Sequence, residues 1–263
     1  MKLAANLSLM FTELPLLERF AAARNAGFEA VEIQFPYEES ITDLAMACAD
    51  ADLKLVLMNV PAGDLMSGGE GLASVPERQC EFRDAVAKCR DYAEALGVRC
   101  INVLSGRCQE TQQQDRRWHN FVENLQLADA HFAPLGITTT FEAINTTDMP
   151  RFLIHSAQQM WDVMAEVDSP TIKAQYDLYH MAMMGEDLEA DLRQHVDSIG
   201  HIQFADCPGR GEPGTGTLDW SVLFSLIDVS GYAGYVAAEY RPTESTENSF
   251  GWLRDLMLQR LYR

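Results

Sequence analysis

Positive charge is scarce in this chain. Lys and Arg number 20 against 39 Asp and Glu, a formal net charge of −19 over 263 residues. That balance argues against a nucleic-acid partner, whose phosphates demand a basic face, and equally against an anionic membrane surface. No apolar run approaches the roughly 20 residues that a membrane span requires. The opening stretch, MKLAANLSLMFTELPLLERF, lacks the layout of a secretory leader, because its apolar part is short and is soon broken by Glu13, Glu18 and Arg19. A cytoplasmic protein is the expectation. The six cysteines (48, 80, 89, 100, 108 and 207) form no C-x-x-C pair and have no histidine spacing suited to zinc. Several sit in apolar runs such as RCINV, so buried, reduced thiols are expected. Also missing is a G-x-G-x-x-G after the first strand, which counts against a doubly wound open sheet.

What the chain does have is a recurring phrase: an apolar-periodic helix, a glycine, then a short run rich in Val, Ile, Phe or Thr. It appears in AARNAGFEAVEIQF, YAEALGVRCINVLSG, FAPLGITTTFEAI, VDSIGHIQFAD and DVSGYAGYVAAEY. Gly27, Gly97, Gly136, Gly200 and Gly231 stand where a helix would close through a left-handed residue. Completing the pattern places strands at 3–8, 30–35, 54–59, 99–104, 137–142, 172–177, 199–204 and 234–239. Helices come after them at 14–26, 40–51, 76–96, 115–133, 156–167, 187–197, 219–229 and 249–261. Eight alternations predict a closed α/β barrel, the (β/α)8 TIM barrel, as a single domain over 1–263. Apolar residues at 47% are ample for its core. The Gly- and Ser-rich loop from Pro61 to Pro76 is either an active-site cover or a surface excursion.

In such a barrel the chemistry lies at the carboxyl ends of the strands. The last polar residues of the four later strands are Glu142 in TTTFEA, Asp177 in IKAQYD, Gln203 in HIQFAD and Glu239 in YVAAEY. One acid at a strand end needs no explanation beyond solvation. Four oxygen donors on consecutive strands are different, because clustered carboxylates repel one another unless a cation stands among them. An all-oxygen donor set suits Mg²⁺ or Mn²⁺ better than zinc. The loop DCPGRGEPGTG carries one basic residue, Arg210, which is either a solvated loop side chain or a bidentate holder of an anionic or hydroxylated substrate. His201 is expected to be a hydrogen-bonded core residue, and Glu32 either a pocket wall or an interior polar group. His119, His131, His155 and His195 are expected in solvent.

FEAIN, QYDLYHM, IGHIQFADCPGRGEPGTGTLDW and AAEYRP, with the opening AANLSLMFTELPLLERFAAARNAGFEAVE and VPAGD, resemble the hydroxypyruvate isomerase family of the xylose-isomerase-like barrels. The resemblance covers essentially the whole chain, and Gln203 to Trp220 is its most specific part. It implies a cytoplasmic enzyme that interconverts hydroxypyruvate and tartronate semialdehyde (2-hydroxy-3-oxopropanoate). By the same resemblance, Glu142, Asp177, Gln203 and Glu239 are metal ligands, Glu142 and Glu239 the acid–base pair, and His180 and Arg210 substrate contacts. Ketose 3-epimerases usually carry histidine at the position of Gln203, so HIQ points to the isomerase branch. Arg241 in EYRP departs from the lysine more often found there, which keeps the charge but alters how a carboxylate is held. The expected partner is a small keto or hydroxy acid; whether the chain forms a homo-oligomer is left open. Rival readings are a 2-oxotetronate isomerase, a ketose 3-epimerase and a sugar-acid binding protein without turnover. A barrel endonuclease would need many histidine ligands and a basic track, and the sequence has neither.

Overall fold

The computed structural model describes residues 1–254 and 256. Eight parallel strands close on themselves in chain order: β1 (Lys2–Asn6), β2 (Ala30–Ile33), β3 (Lys54–Asn59), β4 (Cys100–Asn102), β5 (Thr138–Glu142), β6 (Ile172–Asp177), β7 (Ile199–Phe204) and β8 (Tyr235–Ala238). β1 pairs with β8 through Lys2↔Tyr235 to Ala5↔Ala238, which removes any free sheet edge. The helices are α1 (Leu16–Asn25), α2 (Ile41–Ala51), α3 (Gln79–Leu96), α4 (Gln114–Phe132), α5 (Ala157–Val167), α6 (Leu178–Met183), α7 (Leu188–His195) and α8 (Trp220–Val229). The closed (β/α)8 barrel expected from the alternation is what the chain adopts.

Local chemistry starts and stops these elements. Ser40, Ser156, Asp187 and Asp219 each accept a hydrogen bond from the backbone three residues on, satisfying an otherwise orphaned N–H of a helix start. Gly97 closes α3 at φ +69°, and Gly27, Gly136 and Gly231 also take positive φ. Gly200 does not. It lies inside β7, where a Cβ would come within 2.7 Å of the Lys173 Cβ, so its role is close strand packing rather than helix closure.

The strands alternate faces. Their outward residues, among them Val31, Ile101, Phe141, Tyr176 and Ile202, join the helices in one large apolar core. The inward face begins with a small apolar floor of Ala4, Ala30, Val56 and Ala237 and turns polar one step higher. Boundaries shift by a few residues from the expected ones, most at β4, whose 3 residues are half the expected span. The short α6, which continues from β6 without a break, is absent from the expected elements, because LYHMAM alone is too brief to show a helical period. Of the last expected helix, 251–254 and 256 are helical, 249 and 250 belong to the turn before it, and 255 and 257–261 lie outside the described residues.

The loop over 61–76 is bound to the barrel body. Arg107 donates to the carbonyls of Leu65 (2.6 Å) and Gly69 (2.9 Å), Arg117 pairs with Glu70 (2.8 Å), and Asn124 donates to the Ala73 carbonyl (2.7 Å). All six cysteines are free, but only Cys89 and Cys100 are buried. Burial pushes both thiols up to about 12. The expectation of buried thiols fails for the other four, which sit on helix flanks and loops: Cys48, Cys108 and Cys207 are half-buried and Cys80 is exposed.

Candidate active site

At the carboxyl ends of the strands the inward face carries an unusual load of charge. Glu142 closes β5, Asp177 closes β6, Gln203 is the penultimate residue of β7, and Glu239 comes directly after β8. All four are buried. Parallel register sets Asp177 beside Gln203 and Glu142 beside Gln175, so the closure of the barrel brings them to one rim.

Each carboxylate is held by neutral donors. Asn102 Nδ2 (3.1 Å) and Gln175 Nε2 (3.0 Å) donate to Glu142. Asn6 and Gln34 donate to Glu239 Oε1, both at 2.8 Å. Asp177 caps α6, its Oδ1 accepting from the Tyr179 amide in the first turn (2.8 Å). Gln203 Oε1 accepts from Gln175 (2.7 Å).

Arg210 enters this ring from the loop after β7. Asp206 ties that loop down by accepting from the Cys207 and Gly214 amides and from the Trp220 indole. Although burial alone would raise the Asp206 carboxyl, these bonds hold it below the ordinary range. Arg210 itself sits at φ +57°, its backbone bonded to Asp206 and Arg241. Its Nη2 lies 2.6 Å from Glu239 Oε2 and 3.6 Å from Asp177 Oδ2, and its Nε has no partner. Nothing in the sequence points to this pairing with two of the acids.

Burial dominates the electrostatics. It pushes the Glu142 carboxyl up to about 8, with Asp177 adding repulsion. Burial also raises Asp177 and lifts Glu239 well above the carboxylate range, against the opposing pull of Arg210 in both cases. Burial would lower the Arg210 guanidinium, but Glu239, Asp177 and Glu142 together hold it above its ordinary value. His180, on α6, is held well below its usual range by burial and then by Arg210. Its Nδ1 is 2.7 Å from Asn145 Nδ2 and its Nε2 3.5 Å from Asp177 Oδ2.

The donors suit a hard divalent cation. A carboxylate oxygen each from Glu142 and Asp177 and a ring nitrogen of His180 lie within 4.8 Å of one another. Asp177 Oδ2 is buried with no hydrogen-bond donor, an oxygen available to a cation that would also relieve the repulsion among the acids. A cavity of about 60 Å³ opens above these residues, and it reaches Glu142, His180, Arg210 and Glu239. Its other wall is apolar and includes Phe35, Met66 and Met149.

The residue set expected at the rim therefore meets at one place. His201 lies lower in the barrel, buried and bonded to Glu32, as expected of a core histidine; Glu32 proves to be interior. His119 and His131 are exposed and His155 and His195 half-buried, His195 being stacked on Trp161 at 4.1 Å rather than freely solvated. Reading only the later strands misses Asn6, Gln34 and Asn102, and taking only the last polar residue of each strand misses Gln175 on β6. The same strand-end rule, applied to the first four strands, picks out Asn6, Gln34 and Asn102.

A family model, the xylose isomerase-like TIM barrel, matches residues 20–256. The chain belongs to that family. Hydroxypyruvate isomerase of Escherichia coli (strain K12) is 39% identical over 253 residues, covering 96% of this chain and 98% of that protein. 2-Oxo-tetronate isomerase of Cupriavidus necator is 36% identical, covering 96% and 97%. Among solved structures, an AP endonuclease, family 2, from Brucella melitensis is 37% identical with a TM-score of 0.93, covering 97% of this chain and 98% of that one. Two of these relatives are named isomerases and the third an endonuclease.

Proposed function

We propose that this protein is a hydroxypyruvate isomerase, a single (β/α)8 domain that interconverts hydroxypyruvate and 2-hydroxy-3-oxopropanoate. The observation that carries the reading is the pair Glu142 and Glu239, buried on one small cavity with raised proton affinity, in a chain that matches a hydroxypyruvate isomerase along nearly its full length.

The reaction moves a carbonyl by one carbon. A proton leaves the hydroxymethyl carbon and an enediolate forms; a proton then returns to the neighbouring carbon as the hydroxyl proton passes from the first oxygen to the second. Glu142, Asp177, Gln203 and Glu239 would hold Mg²⁺ or Mn²⁺, which supplies Lewis acidity for the negative charge that develops on the substrate oxygens. One of Glu142 and Glu239 removes the proton, and one of them delivers it. Burial supports this role: in the metal-free chain it pushes the Glu142 carboxyl up to about 8, where it can both take and give a proton, and it raises Glu239 as well. Asn102, Gln175, Asn6 and Gln34 keep both carboxylates aimed. Arg210 and the uncharged His180 bind substrate. With Nε unpartnered, Arg210 offers a donor to the substrate carboxylate while Nη2 keeps Glu239.

The second reading is 2-oxo-tetronate isomerase, favoured by nearly equal identity to that group and calling for the same chemistry on one more carbon. Endonuclease activity finds no support in a net charge of −19. No helix among the described residues is long and apolar enough to cross a membrane. The free cysteines agree with work in the cytoplasm. Assay of the purified chain on hydroxypyruvate, 2-oxotetronate and ketoses, with Mg²⁺ or Mn²⁺ and with chelator, tests the reading. Cation-dependent turnover highest on hydroxypyruvate is expected; turnover highest on a ketose, or binding without turnover across the panel, overturns it.

A further inference from the structure

Beneath the rim lies a fourth interior carboxylate that the mechanism does not use. Glu32, on β2, has 0% exposure. Its Oε1 accepts from Asn6 Nδ2 at 2.8 Å and from Gln203 Nε2 at 2.7 Å, and its Oε2 lies 2.6 Å from His201 Nε2. Glu32 and Gln203 stand 171 residues apart in the chain, so only barrel closure joins them.

A side-chain amide has a donor end and an acceptor end of nearly equal shape, and packing alone scarcely distinguishes them. A carboxylate does distinguish them, because it accepts and cannot donate. Facing Glu32, Gln203 must present its NH₂ downward and its oxygen away from the carboxylate. On that side Oε1 accepts from Gln175 Nε2 at 2.7 Å, and the same nitrogen donates to Glu142 Oε2 at 3.0 Å. The amide oxygen thus arrives beside the acids with a second lone pair still to use. A flipped amide would set oxygen against the Glu32 carboxylate and offer the cation an N–H.

We propose that Glu32, anchored by His201 and Asn6, is a positioning residue that sets the amide orientation of Gln203 and thereby makes Gln203 an oxygen donor to the divalent cation. The inference rests on the reading of the rim as a cation centre. It assigns the strand pair β2 and β7 a joint role in that centre, although β2 supplies no ligand.

Calorimetric titration of Mn²⁺ into the purified full chain, without substrate, tests it, alongside thermal melting to track the fold. In Glu32→Gln the new amide both donates and accepts, so it no longer dictates the orientation of Gln203. Mn²⁺ affinity should fall about 10- to 100-fold, the usual cost of losing a group that orients a ligand. The double variant Glu32→Gln with Gln203→Glu exchanges donor and acceptor while conserving charge: the carboxylate at 203 presents oxygen at both ends, and the amide at 32 donates to it. Its affinity should return to within about threefold of the starting chain, well inside that orienting cost. Unchanged affinity in Glu32→Gln overturns the proposal, as does a loss that the double variant fails to restore. Should Glu32→Gln not fold, the double variant decides: folded and binding Mn²⁺ supports the assignment, and anything else overturns it. An unaltered chain that takes up no Mn²⁺ removes the cation centre itself and this inference with it, an outcome distinct from a loss or its absence at residue 32.

Discussion

The two halves of the barrel end their strands in different chemistry. β5 to β8 bring Glu142, Asp177, Gln203 and Glu239 to the rim, three acids and an amide oxygen. β1 to β4 bring carboxamides instead: Asn6, Gln34 just past β2, Asn59 and Asn102. Hydrogen bonds run from the first half to the second, with Asn6 and Gln34 donating to Glu239 and Asn102 to Glu142. Neutral donors aim a carboxylate without the strong lowering of proton affinity that a Lys or Arg contact would bring. The Glu142 carboxyl is pushed up to about 8 by burial and then by Asp177, and the bonds from Gln175 and Asn102, with the charge of Arg210, only partly oppose that rise. In the proposed reaction the acid half would do the chemistry, and the amide half would hold it in position.

The largest expected effect lies in the acid half. Glu142→Gln and Glu239→Gln should each fold normally and lose about 10²- to 10⁴-fold in kcat, the span of a general acid–base contribution; near-normal turnover in both would remove their roles. Next comes the loop cation. Arg210→Met should raise KM for hydroxypyruvate by about tenfold or more, the worth of a hydrogen bond to a charged group, and should affect a neutral ketose less. An equal rise for both would leave Arg210 as a partner of Glu239 only. In the amide half, Asn102→Ala should lower kcat by about tenfold while leaving KM nearly unchanged, since it removes one bond to a charged acceptor. A loss as large as that of Glu142→Gln would erase the distinction between the halves. The smallest effect is on stability. The Glu142 carboxyl stands at about 8 against an ordinary 4.5, so between those values the folded, metal-free chain holds a proton that the unfolded chain has released. The contribution of Glu142 to stability should therefore be fully present below about 4.5 and be lost as pH rises through about 8, so Glu142→Gln should make stability fall less over that interval than in the starting chain. Calorimetric melting in chelator across this range measures it.

Much of this is legible in the residues without any fold, for physical reasons tied to particular stretches. FAPLGITTTFEAI shows a helix end, a glycine and a strand because each signal is local, and Gly136 does take positive φ. The identical-looking phrase at Gly200 misleads, since what demands glycine there is Lys173 on the adjoining strand. The acids of the later strands are legible because each stands at the end of an apolar run. The amides of the earlier strands escape notice because a strand-end asparagine carries no charge to prompt a question about its counter-ion.

Alone, the chain determined its eight strand–helix units, its acidic balance and the four oxygen donors at successive strand ends, since period, turn residues and residue type act over a few positions. Only the closed tertiary structure decided the partners: Asn6 with Glu239 across 233 residues, Arg210 with Glu239 rather than with open solvent, and Glu32 beneath Gln203. Those contacts depend on β1 lying against β8 and on water being excluded from the ring they complete, and neither condition exists until the barrel shuts.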